Sequence, residues 1–375
     1  MKLKKVRLKN FRGYLDTTFS VDKLNVIIGK NDVGKSTVID ALDVYFNDAS
    51  IEPSDLNVYA DPSETGSIEI SCSFEVDPDE RITLDSSENT ATTLKAEYLL
   101  NKENLLEISK KYECSNGRIK KPVVQIVARH PKNFEKALIC LKIQDLLKLA
   151  NNKNISVPNR NVKKEIRRAI FEQYPNIEWV DDFLISIDSK DGDIIPVFSK
   201  FKDDFPAFLI FRADRTNTDK DKEVNDTTKA IAKAAVAELE SKFSEIKKIV
   251  IEQIQALADK TLLKLNEFDE HIAKELKTNI ETKTLDSLFS FTFNCEDGIS
   301  FNKRGSGIKR LMLLSFFLAE AERKNISKNI IYAIEEPETS QHPDFQIMLM
   351  NALKDLSDSG NRQILLTTHT PEIVK

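Results

Sequence analysis

The chain is 375 residues long, carries a formal net charge of −5 and contains four cysteines. That length accommodates two domains or one domain with a large insertion, no apolar run is long enough to cross a membrane, and the net acidity argues against bulk coating of nucleic acid. Cys72, Cys114, Cys140 and Cys295 lack metal-ligand spacing and the four histidines do not cluster with them, which argues against structural zinc and for a reducing, cytoplasmic setting.

In chain order, Met1-Lys2-Leu3-Lys4-Lys5 leads into alternation rather than the apolar core of a signal peptide. Leu24, Val26, Ile27 and Ile28 predict a buried strand, and Thr37 to Leu42 begin a helix. Between them, Gly29-Lys30-Asn31-Asp32-Val33-Gly34-Lys35-Ser36 satisfies G-x-x-x-x-G-K-[ST], the pattern of a phosphate-binding loop. The glycines let main-chain amides approach phosphate oxygens, Lys35 adds a positive charge between the terminal phosphates, and the Ser36 hydroxyl suits Mg²⁺.

Gly66 to Asp77 alternates, with Ile68, Ile70, Cys72, Phe74 and Val76 on one face, and Leu94, Ala96, Tyr98 and Leu100 repeat the pattern. Both read as antiparallel strands with one solvated side. Basic side chains recur at Lys5, Arg7 and Lys9 on a strand face and at Lys163, Lys164, Arg167 and Arg168 on a helix, where phosphate contact competes with an ordinary solvated surface. Ala207 to Phe211 predicts a further core strand with the charged tip Arg212-Ala213-Asp214-Arg215. From about Asp226 to Lys277 the pattern is helical, with Val236, Leu239, Phe243, Ile246 and Val250 at coiled-coil-like spacing. That stripe lies on the chain's own sheet or forms an arm that pairs between subunits.

Phe289, Phe291 and Phe293 turn at Asp297-Gly298 into Ile299 and Phe301, a hairpin that feeds Arg304-Gly305-Ser306-Gly307 and the apolar helix from Leu311 to Phe317. Ser306 and the neighbouring glycine amides stand at a helix N-terminus, a second anion-binding position. One nucleotide needs one such loop, so the second is expected to complete the site of another subunit. Ile330 to Ile334 form an apolar strand that ends in Glu335-Glu336-Pro337-Glu338. Glu335 at the strand tip suits a metal contact, and Glu336 suits orienting or deprotonating a water. Gln363 to Thr368 form another strand, which delivers His369, a residue able to reach a γ-phosphate with a ring N–H.

Lys9-Asn10-Phe11-Arg12-Gly13-Tyr14, Gly29 to Thr37, Arg304 to Gly307, Glu335 to Glu338 and Thr368-His369-Thr370-Pro371 together resemble the ABC-type head ATPases of the RecF, SMC and Rad50 group, closest to the OLD-like or AAA15 antiphage-defence branch with its PARIS AriA-like and Gabija-like ATPases. The resemblance implies an α/β fold: an ABC-type P-loop ATPase core with an antiparallel β-lobe and a helical insertion. It divides the chain into 1–225 with a mixed insertion at about 120–200, a helical arm or dimerisation insertion at 226–284, and the second half of the core at 285–375. It implies ATP contacts at Arg12, Gly29, Asn31, Gly34, Lys35, Ser36, Thr37, Ser306 and Gly307, Mg²⁺ held by Ser36 and Glu335, and catalysis by Glu336 with His369. Glu335 stands where many ABC proteins carry Asp, so slow hydrolysis is expected.

The function implied is an ATPase that forms a homo-oligomer, a dimer unit or a higher-order assembly of it, and controls a partner effector such as a Toprim nuclease in phage defence. No nuclease centre is expected in this chain, which ends six residues after His369. The alternative is an ATP-dependent DNA clamp of DNA repair or chromosome maintenance; net charge does not support DNA binding, and the helical segment is too short for a long tethering rod.

Overall fold

A computed structural model describes residues 1–212 apart from 31–32, 61–65, 81, 84–90, 116, 175–176 and 189–191, together with scattered positions between 239 and 256, positions 315 and 317, and residues 329–337 and 343–370. The hairpin expected at 289–301, the Gly305–Gly307 turn and most of the arm at 226–284 lie outside the described residues. Among the described residues no helix is long and apolar enough to cross a membrane.

Among the described residues two large sheets build the molecule, beside a two-stranded ribbon of Ile82–Thr83 and Ala91–Thr92. Strands β1 (Lys2–Phe11), β2 (Tyr14–Ser20), β3 (Leu24–Ile28) and helix α1 (Lys35–Asn47) come first. They are followed by β4 (Ser67–Glu75), β5 (Leu106–Ser115), β6 (Val123–Pro131), α2 (Ile143–Asn152), α3 (Lys163–Glu172) and β7 (Trp179–Ser186). Further along come α4 (Ile194–Asp203), β8 (Ala207–Arg212), β9 (Ile330–Glu335), α5 (Pro343–Asp358) and β10 (Arg362–Thr368). The larger sheet has the order β7-β6-β5-β4-β1-β2 and is antiparallel at every pairing. The smaller has the order β8-β9-β10-β3 and is parallel throughout.

Parallel strands need both faces covered, which explains the near-continuous apolar runs of β8, β9 and β10. One face packs on α1: Val38, Leu42 and Tyr45 share a core with Ile331, Ala333 and Leu365 and with Leu3, Val6 and Leu8 of the antiparallel sheet. The other face packs on α5 through Leu349, Leu353 and Leu356, with Phe317 beside Phe211 and Tyr332. α1 is therefore the shared layer between the sheets. They are also joined by the buried Gln363, whose Oε1 accepts from Leu3 N at 2.9 Å while its Nε2 donates to Leu3 O at 2.8 Å.

The alternation of β4 buries Ile68, Ile70, Cys72 and Phe74 as expected, but its other face is solvated only in part, at Glu69 and Glu75. Ser71 lies in register with Arg7 and Ser109, and Ser73 with Lys5 and Glu107, so longer neighbours from the flanking strands bury both serines. The strand expected over Leu94–Leu100 is a run of turns. There Glu97 N donates to Thr93 O and Leu99 N to Leu94 O, while Leu94 and Leu99 remain in the core. The period-two pattern is broken there, with Ala96 exposed and off-register Leu99 buried, and Glu97 is drawn inward by a cation from α3.

That cation is Arg167, which the sequence placed on a solvated or phosphate-binding face. Its side chain is 1% exposed and bonds bidentately to Glu97 at 2.8 and 2.9 Å, with Asp193 as a further partner. Burial pulls its pKa down, and Glu97 and Asp193 more than offset this, so the guanidinium stays charged. α2 and α3 form their own small core, with Leu146, Ile166 and Ile170, and this ion cluster ties them to the β-lobe. Arg167→Met is expected to destabilise the protein by about 3 kcal/mol, because it strands buried Glu97 without its counter-charge. Urea denaturation checks the value, and adding Glu97→Gln should restore part of the loss.

His130 on β6 is fully buried, stacks on Phe183 at 4.4 Å between centroids, and directs Nδ1 to Pro131 O at 3.1 Å. Its Nε2 has no hydrogen-bond partner among the described residues, and burial holds its pKa below the ordinary imidazole value, against a smaller upward pull from Pro131. With the folded-state pKa depressed, the unfolded chain takes up this proton first as pH falls. The contribution is intact above the unfolded pKa of about 6.5 and is lost below it, at up to about 1.4 kcal/mol per pH unit. Urea midpoints measured from pH 7.5 to 5.5 should therefore decline less in His130→Phe than in the parent.

Candidate functional site

Because β8, β9, β10 and β3 are parallel, their carboxyl ends open onto one edge, where ligands of open α/β sheets lie. Register aligns the tips: Glu335 pairs with Thr367, and Thr368 pairs with Ile28. β10 lies between β3 and β9, so the residues that leave β3 and β9 face each other across the end of one strand. Gly29 N donates to Thr368 O at 3.3 Å and Glu336 N to Thr367 O at 3.0 Å, which moors both departing segments to β10.

The loop after β3 turns sharply into α1. A Cβ at Gly29 would stand 2.6 Å from Val33 Cγ2, and Gly34 has φ +94, a left-handed conformation suited to glycine. Tyr14 from β2 donates its hydroxyl to Gly34 O at 3.1 Å, fixing the loop from the antiparallel side. Gly34 caps α1 without a side-chain hydrogen bond, and no acidic residue occupies the first turn. That helix end accordingly presents backbone N–H groups and a positive dipole, the donor set a phosphate requires.

Lys35 is buried, with Nζ donating to Gly29 O and Lys30 O at 2.9 Å each and standing 3.3 Å from Glu336 Oε1. The other Glu336 oxygen is 3.5 Å from His369 Nδ1. Glu336 has φ 41, an uncommon backbone state for a non-glycine residue, adopted immediately before Pro337. Three elements from opposite ends of the chain thus deliver an ammonium, a carboxylate and an imidazole to one point. A carboxylate there can accept a proton, while the flanking groups can bind oxyanions.

Of the other residues singled out by sequence, Ser36 is exposed, and Thr37 and Glu335 are half-buried on the same edge. Asn31, Ser306 and Gly307 lie outside the described residues. Arg12, with φ 45, reaches Asp55 Oδ1 through Nε at 2.7 Å and Asp40 Oδ2 of α1 through Nη1. Burial lowers its pKa and these two carboxylates raise it further, leaving it above the ordinary value. Its guanidinium therefore braces α1 against the Pro53–Asp55 turn. Sequence reasoning assigned no role to Tyr14 as a support of the loop or to Asp40 and Asp55 as the partners of Arg12, although Tyr14 lies in the motif that begins at Lys9. Among the described residues no group of three or more His, Cys, Asp or Glu side chains could hold a metal unaided. Ser36 and Glu335 on this edge would supply a sparse oxygen set, of the kind Mg²⁺ completes with phosphates and water.

The model of the family AAA_15, described as "AAA ATPase domain", matches residues 1–374. Endonuclease GajA of Bacillus cereus (strain VD045) is 24% identical over 397 residues, a match that takes in 100% of this chain and 56% of GajA. The chain thus spans little more than half the length of that relative. Among solved structures, the SMC head domain from Thermotoga maritima is 13% identical with a TM-score of 0.38. An SmcHead bound to the C-winged helix domain of ScpA is 14% identical with a TM-score of 0.42. Each of these two alignments covers 100% of this chain and 91% of the other, and both likenesses are too loose to carry structural detail.

Proposed function

Because this chain belongs to the AAA_15 family of AAA ATPase domains, we propose that it binds ATP at the carboxyl edge of the parallel sheet, hydrolyses it, and uses nucleotide state to control an effector in phage defence. The meeting of Lys35, Glu336 and His369 is the observation that supports this reading most strongly. In it, Lys35 and the first amides of α1 bind the β- and γ-phosphates, and Gly29 and Gly34 allow their close approach. Ser36 and Glu335 would hold Mg²⁺, which when bound neutralises charge on the phosphate oxygens. Glu336 accepts a proton from the attacking water, and His369 directs a ring N–H to the γ-phosphate. Phosphate release from ATP by the purified protein in MgCl₂, abolished by EDTA, is the expected result. Absence of both nucleotide binding and turnover would sink the reading.

Oligomerisation rests on Arg304 to Gly307, with Ser306 and Gly307 completing the nucleotide site of a neighbouring subunit in a dimer unit. The defence role draws on the resemblance to the OLD-like and AAA15 ATPases, and the nuclease chemistry in GajA's name is proposed to belong to a partner such as a Toprim nuclease. Native mass measured with the partner present, with and without ATP, tests both assignments. A DNA clamp is the second reading. Its support weakens because five of the seven basic residues weighed for phosphate contact are paired: Lys5 with Glu103, Arg7 with Asp16, Lys163 and Arg167 with Asp193, and Arg168 with Glu172. Strong stimulation of hydrolysis by DNA would reinstate it.

A further inference from the structure

Thr367, the penultimate residue of β10, is fully buried, and its Oγ1 has no hydrogen-bond partner among the described residues. A threonine hydroxyl carries one donor and two acceptor sites, and a buried polar group without a partner is uncommon and costly. Its position gives the cost a meaning. Thr367 is in register with Glu335 on one side and Ile27 on the other. Alternation places Thr367 on the face of Leu365, and Glu335 on the face of Ile331 and Ala333, which is the face packed against α1. The hydroxyl therefore lies on the α1 side of the sheet, next to the carboxylate assigned to Mg²⁺ and at the level where the phosphate loop leaves β3. Its own main-chain carbonyl holds Glu336 N at 3.0 Å, so the same residue touches the segment that carries both carboxylates.

We propose that Thr367 is a positioning residue whose hydroxyl is satisfied only in the nucleotide-loaded protein, by hydrogen bonding within the hydration shell of Mg²⁺ beside Glu335. This rests on the nucleotide reading given above. Folding without nucleotide bears an unsatisfied hydroxyl, and loading relieves it, which makes the group a source of Mg²⁺-dependent affinity rather than of fold stability.

Thr367→Val keeps the shape and removes the hydroxyl. In thermal melts without nucleotide it should melt about 2 °C above the parent, because an orphaned polar group has been replaced by a methyl. In the presence of ATP, the Mg²⁺ concentration that half-completes the stabilising shift should rise by about tenfold, the effect of one lost hydrogen bond in a closed site. Thr367→Ser should keep the parental Mg²⁺ dependence, and Thr367→Ala, a second variant lacking the hydroxyl, should share the weakened one even if it melts lower. An undiminished Mg²⁺ response in both hydroxyl-free variants overturns this role while leaving the nucleotide site standing. A parental protein that shows no stabilisation by ATP and Mg²⁺ overturns the nucleotide reading and this proposal together.

Discussion

Glu336→Gln is expected to retain ATP binding while releasing phosphate about 10³-fold more slowly, the scale of a lost general base. The amide is isosteric with the carboxylate, and its oxygen can still accept from Lys35 Nζ, which lies 3.3 Å from Oε1 in the parent. Lys35 also keeps its bonds to Gly29 O and Lys30 O, so the loop retains its internal support. What disappears is the capacity to take a proton. A trapped, ATP-loaded protein should result, measurable as wild-type nucleotide affinity in calorimetry beside an almost silent phosphate-release assay. Turnover at the parental rate would place the base elsewhere, with Glu335 and His369 the next to test.

Lys35→Ala is expected to weaken ATP binding by roughly 10²–10³-fold, since one ammonium making two charge-assisted contacts to phosphate accounts for about 3–4 kcal/mol. The fold should survive the change. Glu336 is one-third exposed, so after losing its cation it is reached by water rather than stranded as a buried charge. Far-UV circular dichroism and the urea midpoint should stay close to the parental values while the calorimetric signal for ATP vanishes at micromolar nucleotide. Unchanged affinity would remove the phosphate-loop assignment, and with it the roles given to Ser36 and Glu335.

Much of this edge was legible in sequence because its signals are local. Gly29 and Gly34 report backbone positions where a Cβ would collide or φ is positive, Lys35 follows them on the first turn of a helix, and Glu335 and His369 sit at the ends of apolar runs of strand length. Such features depend on neighbours a few residues away, so a single sequence carries them. Less legible were the partners of charged groups. Arg7, Arg12, Arg167 and Arg168 look alike in sequence, yet Arg167 is sealed in with Glu97 and Asp193, Arg12 braces α1, and Arg7 and Arg168 form exposed pairs. Over 94–100 the hydrophobic alternation predicted neither conformation nor the full buried set: Leu94, Leu99 and Leu100 enter the core from a turn, while Ala96 is exposed and Tyr98 half-buried.

The sequence by itself determined the two local devices of this protein: a glycine-gated loop that ends in Lys35 and an apolar strand that ends in paired carboxylates. Each follows from steric freedom at glycine and from the burial demanded by an apolar run. The resemblance implied that they share one site, and tertiary structure alone decided how they meet. The parallel order β8-β9-β10-β3 and its register bring Glu336 within 3.3 Å of Lys35 and within 3.5 Å of His369, and they leave the Thr367 hydroxyl buried beneath that edge. Strand order is set by which apolar faces α1 and α5 can cover together, a property of the assembled core that no segment carries alone.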